Sequence, residues 1–509
     1  MMKLLLVLLF ACLAAPAATL QRFCTFYRLD DPAVPAAVRA TAGVLRVAAS
    51  DGAVWRGTRQ GLWRGDSEYF ASRRYLPDDD VQHIVPDSAA GVWVRTATGI
   101  SHIELRPMTL LQKTELFEER IRLRHNRHGM VSPSILSTPG DLTTSRTRDD
   151  DNDGLWTAMY GTGECFRYAV TKEPQALALA RRSIEAVLFL EQVTGRPGFP
   201  ARSYIERGEP MPRDGEWHWT ADGKYYWKGD TSSDEIVGHF FLFAVAWDTL
   251  PADDPLRARI GATARRIMDH ILANGYYLID LDGKPTRWGK WSLDYFKEEP
   301  GDAPLNALEL LSFLKTAHHI TGDERYQREY RKAAVELGYA KVMTRLKEWR
   351  EQLNYSDEEL AMLPFYCLFR YEKDAQLLDT FYRPALDQWW ENMSREANPL
   401  WTMIYLTSRP KARADLPAAI RTLERMPIDL LTWTIRNSHR EDVVMTNELD
   451  RFQLKQAATL LPPDERPVMK WNANPFIVDG GNGGRGEDDG AAFLLPYWLG
   501  RYHRYLTGE

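Results

Sequence analysis

Cysteine is scarce in this chain of 509 residues: there are four, and Cys12 falls inside the N-terminal apolar run. The other three, Cys24, Cys165 and Cys367, are too few and too scattered for a disulfide framework, and their spacing suits no zinc site. Long apolar runs are also missing. After Leu13 nothing approaches the ~20 apolar residues that a membrane span needs. No Lys/Arg-rich stretch interleaves with aromatics and the formal net charge is −6, so nucleic acid is not an expected partner. The glycine-rich "DGGNGGRGEDDG" lacks a following Lys-Ser/Thr, which argues against a phosphate loop.

What is present begins with an export signal. Lys3 is a positive n-region, Leu4 to Leu13 an apolar core, and Ala15-Pro16-Ala17 a small-residue cleavage site. Residues 1–17 therefore read as a signal peptide, and the mature chain as secreted or periplasmic. Leu9-Phe10-Ala11-Cys12 leaves lipid anchoring at Cys12 as the alternative. The chain carries 17 Trp and 22 Tyr, many of them beside Gly, Asn, Asp and Lys in expected loops. Most aromatics fill cores, but a flat apolar face in a loop can also stack on a sugar ring.

Length alone favours two domains. Residues 18–107 read as short strands, and two segments match each other: "DGAVWRGTRQGLWR" and "AAGVWVRTATGISH". Trp55, Thr58 and Gly61 recur as Trp93, Thr96 and Gly99, a period of 38 residues. This pattern resembles the blades of bacterial sensor-type β-propellers. Two blades cannot close a ring, so the segment is expected to be a small β module leaning on the rest.

Residues 108–509 read as paired helices. One set, beginning near Leu155, Ser233, Pro304, Asp357, Pro399 and Ala491, is apolar on every face. Between its members lie amphipathic helices such as "PQALALARRSIEAVLFLEQ". A helix apolar all round is buried and an amphipathic one lies outside. Six inner and six outer helices in alternation describe an (α/α)6 toroid, so the fold class is mainly α with a small N-terminal β module. In this alternation the inner N-termini converge on one mouth, where their dipoles favour an anion. Asp153, Asp230, Asn354, Asn398 and Asp488 are expected to line it.

The segments entering that mouth hold the candidate chemistry. In "YYWKGDTSSDEIVGHFF", Ser232 and Glu235 form a capping box. Capping leaves Asp230 unexplained, along with Lys228 and the aromatic run that includes Tyr226 and Trp227. His239 shares a face with Glu235, and Gly238 is read as keeping that face open. Two expected hairpins around Asp-Gly turns would present His218, Arg287 and Trp288 to a saccharide. The segment 427–490 offers Arg436, Asn437 and His439 as a compact set, with Trp471, Asn474 and Arg485 as further binding candidates. Tyr226, His239 and His439 are the proton-transfer candidates, and Asp230 with Glu487 or Asp488 are the carboxylates available for hydrolysis. Asp149-x-Asp151-x-Asp153-Gly154 is the first half of a calcium loop, but Tyr160 stands where the closing acid belongs. Calcium binding, a simple turn and contact with sugar hydroxyls all remain open there.

"DNDGLWTAMYGTGECFRYAVT", "KGDTSSDEIVGHFF" and "GEDDGAAFLLPYWLGRYH" resemble secreted carbohydrate-active enzymes of the six-hairpin superfamily. With propeller-like blades attached, the chain is similar to lyases that remove rhamnose from glucuronate. That resemblance implies a Tyr or His base, a carboxylate neutraliser and calcium. The expected activity is β-elimination on an acidic, uronate-containing glycan. A two-carboxylate glycoside hydrolase is the alternative, and a non-catalytic glycan-binding protein the third reading.

Overall fold

The computed structural model describes residues 18–40, 43–87, 90–346, 354–467 and 473–507. The signal-peptide expectation at 1–17, the anchoring alternative at Cys12 and the candidate Trp471 lie outside these residues.

The strand-forming N-terminal region folds into eight strands: β1 (Thr19–Tyr27), β2 (Arg46–Ala48), β3 (Val54–Thr58), β4 (Gly61–Arg64), β5 (Glu68–Phe70), β6 (Val81–Pro86), β7 (Val92–Thr96) and β8 (Ile100–Met108). They make two four-stranded antiparallel sheets, in the orders β2-β3-β4-β5 and β1-β8-β7-β6. The sequence repeat is also a structural one. Trp55 and Trp93 are each the second residue of their strand. The Thr58 and Thr96 hydroxyls donate to the carbonyls of Gly61 and Gly99 at 3.1 and 3.0 Å. The two sheets share one core that includes Trp55, Leu62, Phe70, Ile84 and Val94.

The helical part contains α1 (Leu110–Arg120), α2 (Asp153–Thr171), α3 (Pro174–Gln192), α4 (Ser233–Thr249), α5 (Pro255–Ala273), α6 (Ala303–Thr321), α7 (Glu324–Arg331), α8 (Tyr355–Tyr371), α9 (Arg383–Met393), α10 (Pro399–Ser408), α11 (Leu416–Arg425) and α12 (Ala491–Tyr502), with shorter helices in the connections. Burial sorts them as apolar patterning demands. In α6 every residue from Ala303 to Ala317 is buried, whereas α7 buries only Tyr326 and Tyr330. The even-numbered helices pack in a closed ring: α2 on α4, then α6, α8, α10 and α12, which returns to α2. The odd-numbered helices pack outside them. The stacked Phe240–Phe313 pair (centroids 5.0 Å apart) joins α4 to its neighbour α6, and the Phe241–Tyr366 edge contact (5.7 Å) reaches from α4 to α8. This ring is the toroid read from the sequence.

Close helix approach corrects one expectation. A Cβ on Gly238 would lie 2.8 Å from the Leu155 Cα, so this glycine lets α4 press against α2 and keeps no face open. The capping box also fails as a hydrogen-bonded device. Ser232 has N-cap backbone angles, yet among the described residues neither its hydroxyl nor the Glu235 carboxyl makes the capping hydrogen bonds. At α10 a cap does form: Asn398 Oδ1 accepts the Leu400 and Trp401 N–H groups, with Pro399 at the first helical position.

The β module is tied to the helical part by buried charge. Lys113 of α1, fully buried, donates to Gln21 Oε1 and to the carbonyls of Leu423 and Glu424. Burial lowers its pKa to about 7. Arg22 of β1 pairs with Asp464 at 2.6 Å, and Arg440 lies 3.8 Å above the Tyr69 ring.

Candidate active site

The N-terminal ends of four inner helices open into a cleft of about 680 Å³. Its floor carries Asn152 at the start of α2, Ser233 and Asp234 from α4, Asp302 and Asn306 around the start of α6, and Asn354, Ser356 and Asp357 around the start of α8. Its walls come from the connections: Arg202, Asp214 to Glu216, Lys228 to Asp230, Arg287, Trp288 and Tyr295. Arg451 reaches it from the long segment before α12. Within its lining, acids outnumber bases seven to four. First-turn acids answer the helix dipoles, which is one physical reason for them to gather here.

Many of these charges are already satisfied. The Lys228 ammonium, its side chain 4% exposed, pairs with Asp151 and lies 3.3 Å from Asp214. Asp230 has left-handed backbone (φ +48°), uncommon for a residue other than glycine. Three contacts hold it there. Its N–H donates to Asp280 Oδ2 (2.7 Å), its carbonyl accepts Arg202 Nε (2.7 Å), and its Oδ1 accepts the Arg287 N–H (2.8 Å).

Asp234 stands differently. It accepts one hydrogen bond, from Asn152 Nδ2 at 3.0 Å. Burial raises its pKa; Arg202 opposes the rise and the charge of Asp357 adds to it. The carboxylate at the start of α8 thus disfavours ionisation of the one at the start of α4. Below them Glu235 and Glu309 are fully buried, and burial pushes both well above the carboxylate range. Glu309 accepts the Trp291 Nε1–H at 2.7 Å.

Of the residues picked out by sequence, the structure gathers Lys228, Asp230, Arg287, Trp288 and Asp151 in the cleft. It places the others elsewhere. His239 is fully buried in α4 against the Glu235 carbonyl (2.6 Å), and burial lowers its pKa to about 4, so it is a neutral core group. Tyr226 packs between Trp217 and Trp219, their centroids 5.3 and 4.8 Å away. Trp227 is buried, with His218 against its ring at 4.7 Å. His439 faces Asp79 of the β module at 3.7 Å. Asn437 is buried, its Nδ2 donating to the Glu465 carbonyl and its Oδ1 accepting from Arg440. Asn474 donates to Gln456, while Arg436 and Arg485 are exposed outside the cleft. Glu487 is gripped by Arg124 through two 2.7 Å bonds, with His125 at 3.3 Å. Burial raises its pKa, but the contacts with Arg124 and His125 outweigh this and bring it down to about 2, which unfits it as a proton donor. Asp488 does not line the cleft, and its N–H donates to the Leu430 carbonyl.

The calcium expectation also changes. Asp153 turns into the core against Arg127 (2.7 Å) and Ser203, while Asp151 goes to Lys228. Among the described residues, the set of three His, Cys, Asp or Glu ligand atoms within 4.8 Å of one another is His128, Glu206 and Glu209. Asp151 and Asp153 thus turn to separate cations, Lys228 and Arg127.

Asp234, Asp357, Asp302, Tyr295, Arg202 and Arg451 were not singled out as site residues by sequence reasoning. Acids in first helical turns read as caps, and Asp234 and Asp357 had that signal. Nothing marked Arg202 or Arg451.

No protein-family model matches the chain, and none of the curated proteins does. Solved structures give distant likenesses. A glycosyl hydrolase of family 88 from Bacteroides vulgatus is 10% identical, with a TM-score of 0.40, over 78% of this chain and all of that one. A thermostable endoglucanase mutant from Alicyclobacillus acidocaldarius is 12% identical, with a TM-score of 0.41, over 82% and 88%. A polysaccharide lyase is 11% identical, with a TM-score of 0.39, over 78% and 99%. The closed ring of helices carries the fold assignment without them.

Proposed function

We propose that this protein is a glycan-degrading enzyme that cleaves a glycosidic bond in the cleft, with Asp234 and Asp357 as its acid and base. One observation carries this reading. Two carboxyls project from inner-helix starts, Asp234 from α4 and Asp357 from α8, into an open cleft, and burial together with the charge of Asp357 raises the pKa of Asp234. A carboxyl held protonated can give its proton to the leaving sugar oxygen, and an ionised partner can activate water or attack the anomeric carbon. Trp288, 48% exposed at the rim, offers a face for a sugar.

β-Elimination is the second reading, and the cationic groups of the cleft favour it, since a uronate carboxylate must be neutralised before its C5 proton can leave. The base is the weak point. Among the described residues no histidine lines the cleft. The phenol of Tyr295 donates to Asp302 at 2.7 Å, and burial with that contact drives its pKa upward, away from phenolate. The test is to incubate the mature protein with neutral and uronate-bearing glycans while following reducing ends and unsaturated uronate together. New reducing ends without unsaturation support hydrolysis; unsaturation appearing in step with cleavage overturns it.

A further inference from the structure

The segment before α12 sends a hairpin toward the cleft, strands Met445–Leu449 and Lys455–Ala457 pairing antiparallel. Its tip is locked by one buried carboxylate. Asp450 Oδ1 accepts the N–H groups of Phe452 (2.9 Å) and Leu454 (2.8 Å), and the Asp450 N–H donates to the Leu454 carbonyl (3.0 Å). Gln453 takes the left-handed conformation that the reversal requires (φ +62°). This fixed tip carries Arg451 into the cleft lining, its guanidinium 4.5 Å from the Phe452 ring centroid. Phe452 itself is 65% exposed.

The four cations of the cleft differ in what they have left to offer. Lys228 is taken by Asp151 and Asp214. Arg202 is taken by the carbonyls of Asp230 and Asp151 and by Asn152. Arg287 lies 3.6 Å from Asp230. Arg451 pairs with no carboxylate among the described residues. A guanidinium on a rigid turn presents a planar donor fork suited to a carboxylate, and an exposed ring beside it suits the apolar face of a pyranose.

We infer that the 450–454 hairpin tip is the binding element for an acidic sugar of the substrate, with Arg451 taking its carboxylate and Phe452 its ring face. This rests on the glycan reading above and adds the substrate's charge and the residues that select it. It does not depend on which bond-breaking chemistry follows.

Affinity electrophoresis tests binding apart from cleavage. The intact mature protein is run through gels holding polygalacturonate, alginate or a glucuronate-bearing arabinogalactan, through the carboxyl-reduced form of each, and through a sulfated galactan. Retardation by at least one uronate glycan and not by its reduced form is expected. Arg451→Ala should weaken that retention roughly 10–100-fold, the loss appropriate to a charge-assisted hydrogen bond, with an unchanged melting temperature. Phe452→Ala should weaken it less, and Arg451→Lys should restore part of it as a point charge. Equal retention of wild type and Arg451→Ala, retention only by reduced glycans, retention only by the sulfated galactan, or retention by none would each overturn the assignment. If Arg451→Ala loses retention while no glycan is cleaved, the clamp stands and the proposed chemistry fails.

Discussion

Two regions of this molecule look alike in sequence and differ in what they do with their charge. The connections into α2, α4, α6 and α8 and the segment from 427 to 490 are both rich in acids, glycine and aromatics. In the second region the buried carboxylates are committed to arginines, and Arg451 is the cation it sends to the cleft. Glu487 is held by Arg124, Asp464 by Arg22 and Arg425, and Glu465 by Arg440. Its glycines serve packing: a Cβ on Gly481 would lie 1.9 Å from the Trp433 carbonyl oxygen, and one on Gly484 would lie 2.6 Å from the Trp433 ring. In the first region a cleft stays open, and Asp234 and Asp357 sit close enough for one charge to oppose the other. Polar density alone does not identify a site. Polar groups left in tension beside an open cavity do.

The largest expected effect lies in the cleft. Asp234→Asn and Asp357→Asn should each lower turnover by ~10²–10⁴-fold, the usual range for losing a general acid or base, with melting temperatures near wild type. Full activity in either variant would remove that carboxyl from the mechanism. The closing segment should respond in the opposite sense. Glu487→Ala leaves Arg124 and His125 without their carboxylate and should cost about 3–5 kcal/mol of stability, visible in thermal or denaturant unfolding. A variant that keeps wild-type stability but loses catalysis would make Glu487 functional after all.

The same pair sets a pH window. The Glu487 pKa is lowered from 4.5 to about 2, so its contribution is complete above about pH 4.5 and lost as pH falls toward 2. Glu487→Gln should flatten the loss of stability over that interval, and an unchanged acid limb would argue against the pairing. A smaller effect is expected at Arg202. Its charge holds the pKa of Asp234 down against burial, so Arg202→Met should move the alkaline limb of kcat/KM to higher pH, whatever it does to the absolute rate. A limb that stays put or moves down would mean that Asp234 is not the titrating acid. The smallest effect concerns metal. Chelation should leave melting temperature and activity unchanged, because Asp151 and Asp153 are committed to Lys228 and Arg127. A drop restored by calcium would contradict that placement.

The fold was legible because burial writes itself into sequence without reference to partners. Fully apolar α4 and α6 against amphipathic α3 and α5 can be sorted by pattern alone. The repeat of Trp55–Gly61 at Trp93–Gly99 was legible for the same reason, since each copy closes its own local turn. The site was only partly readable. Lys228, Asp230, Arg287 and Trp288 stand out because no helix cap or core position accounts for them. Asp234 and Asp357 could not be told from caps, since a first-turn acid satisfies a helix dipole whether or not it faces a cleft. His239 looked functional because it shares a face with Glu235, but sequence does not reveal that this face is packed away, Glu235 against Gly154 of α2 and His239 near Val187 of α3. Arg451 depends on how a long connection folds back, which no local pattern encodes.

The central claim is that the cleft carboxyls hydrolyse a glycosidic bond. Cleavage in heavy-oxygen water followed by mass spectrometry of the products tests it most directly. The account predicts one solvent oxygen at each newly formed reducing end and none at the non-reducing end released with it, and no such product from Asp234→Asn. Products without solvent oxygen, lighter by one water and carrying an unsaturated uronate end, would contradict it.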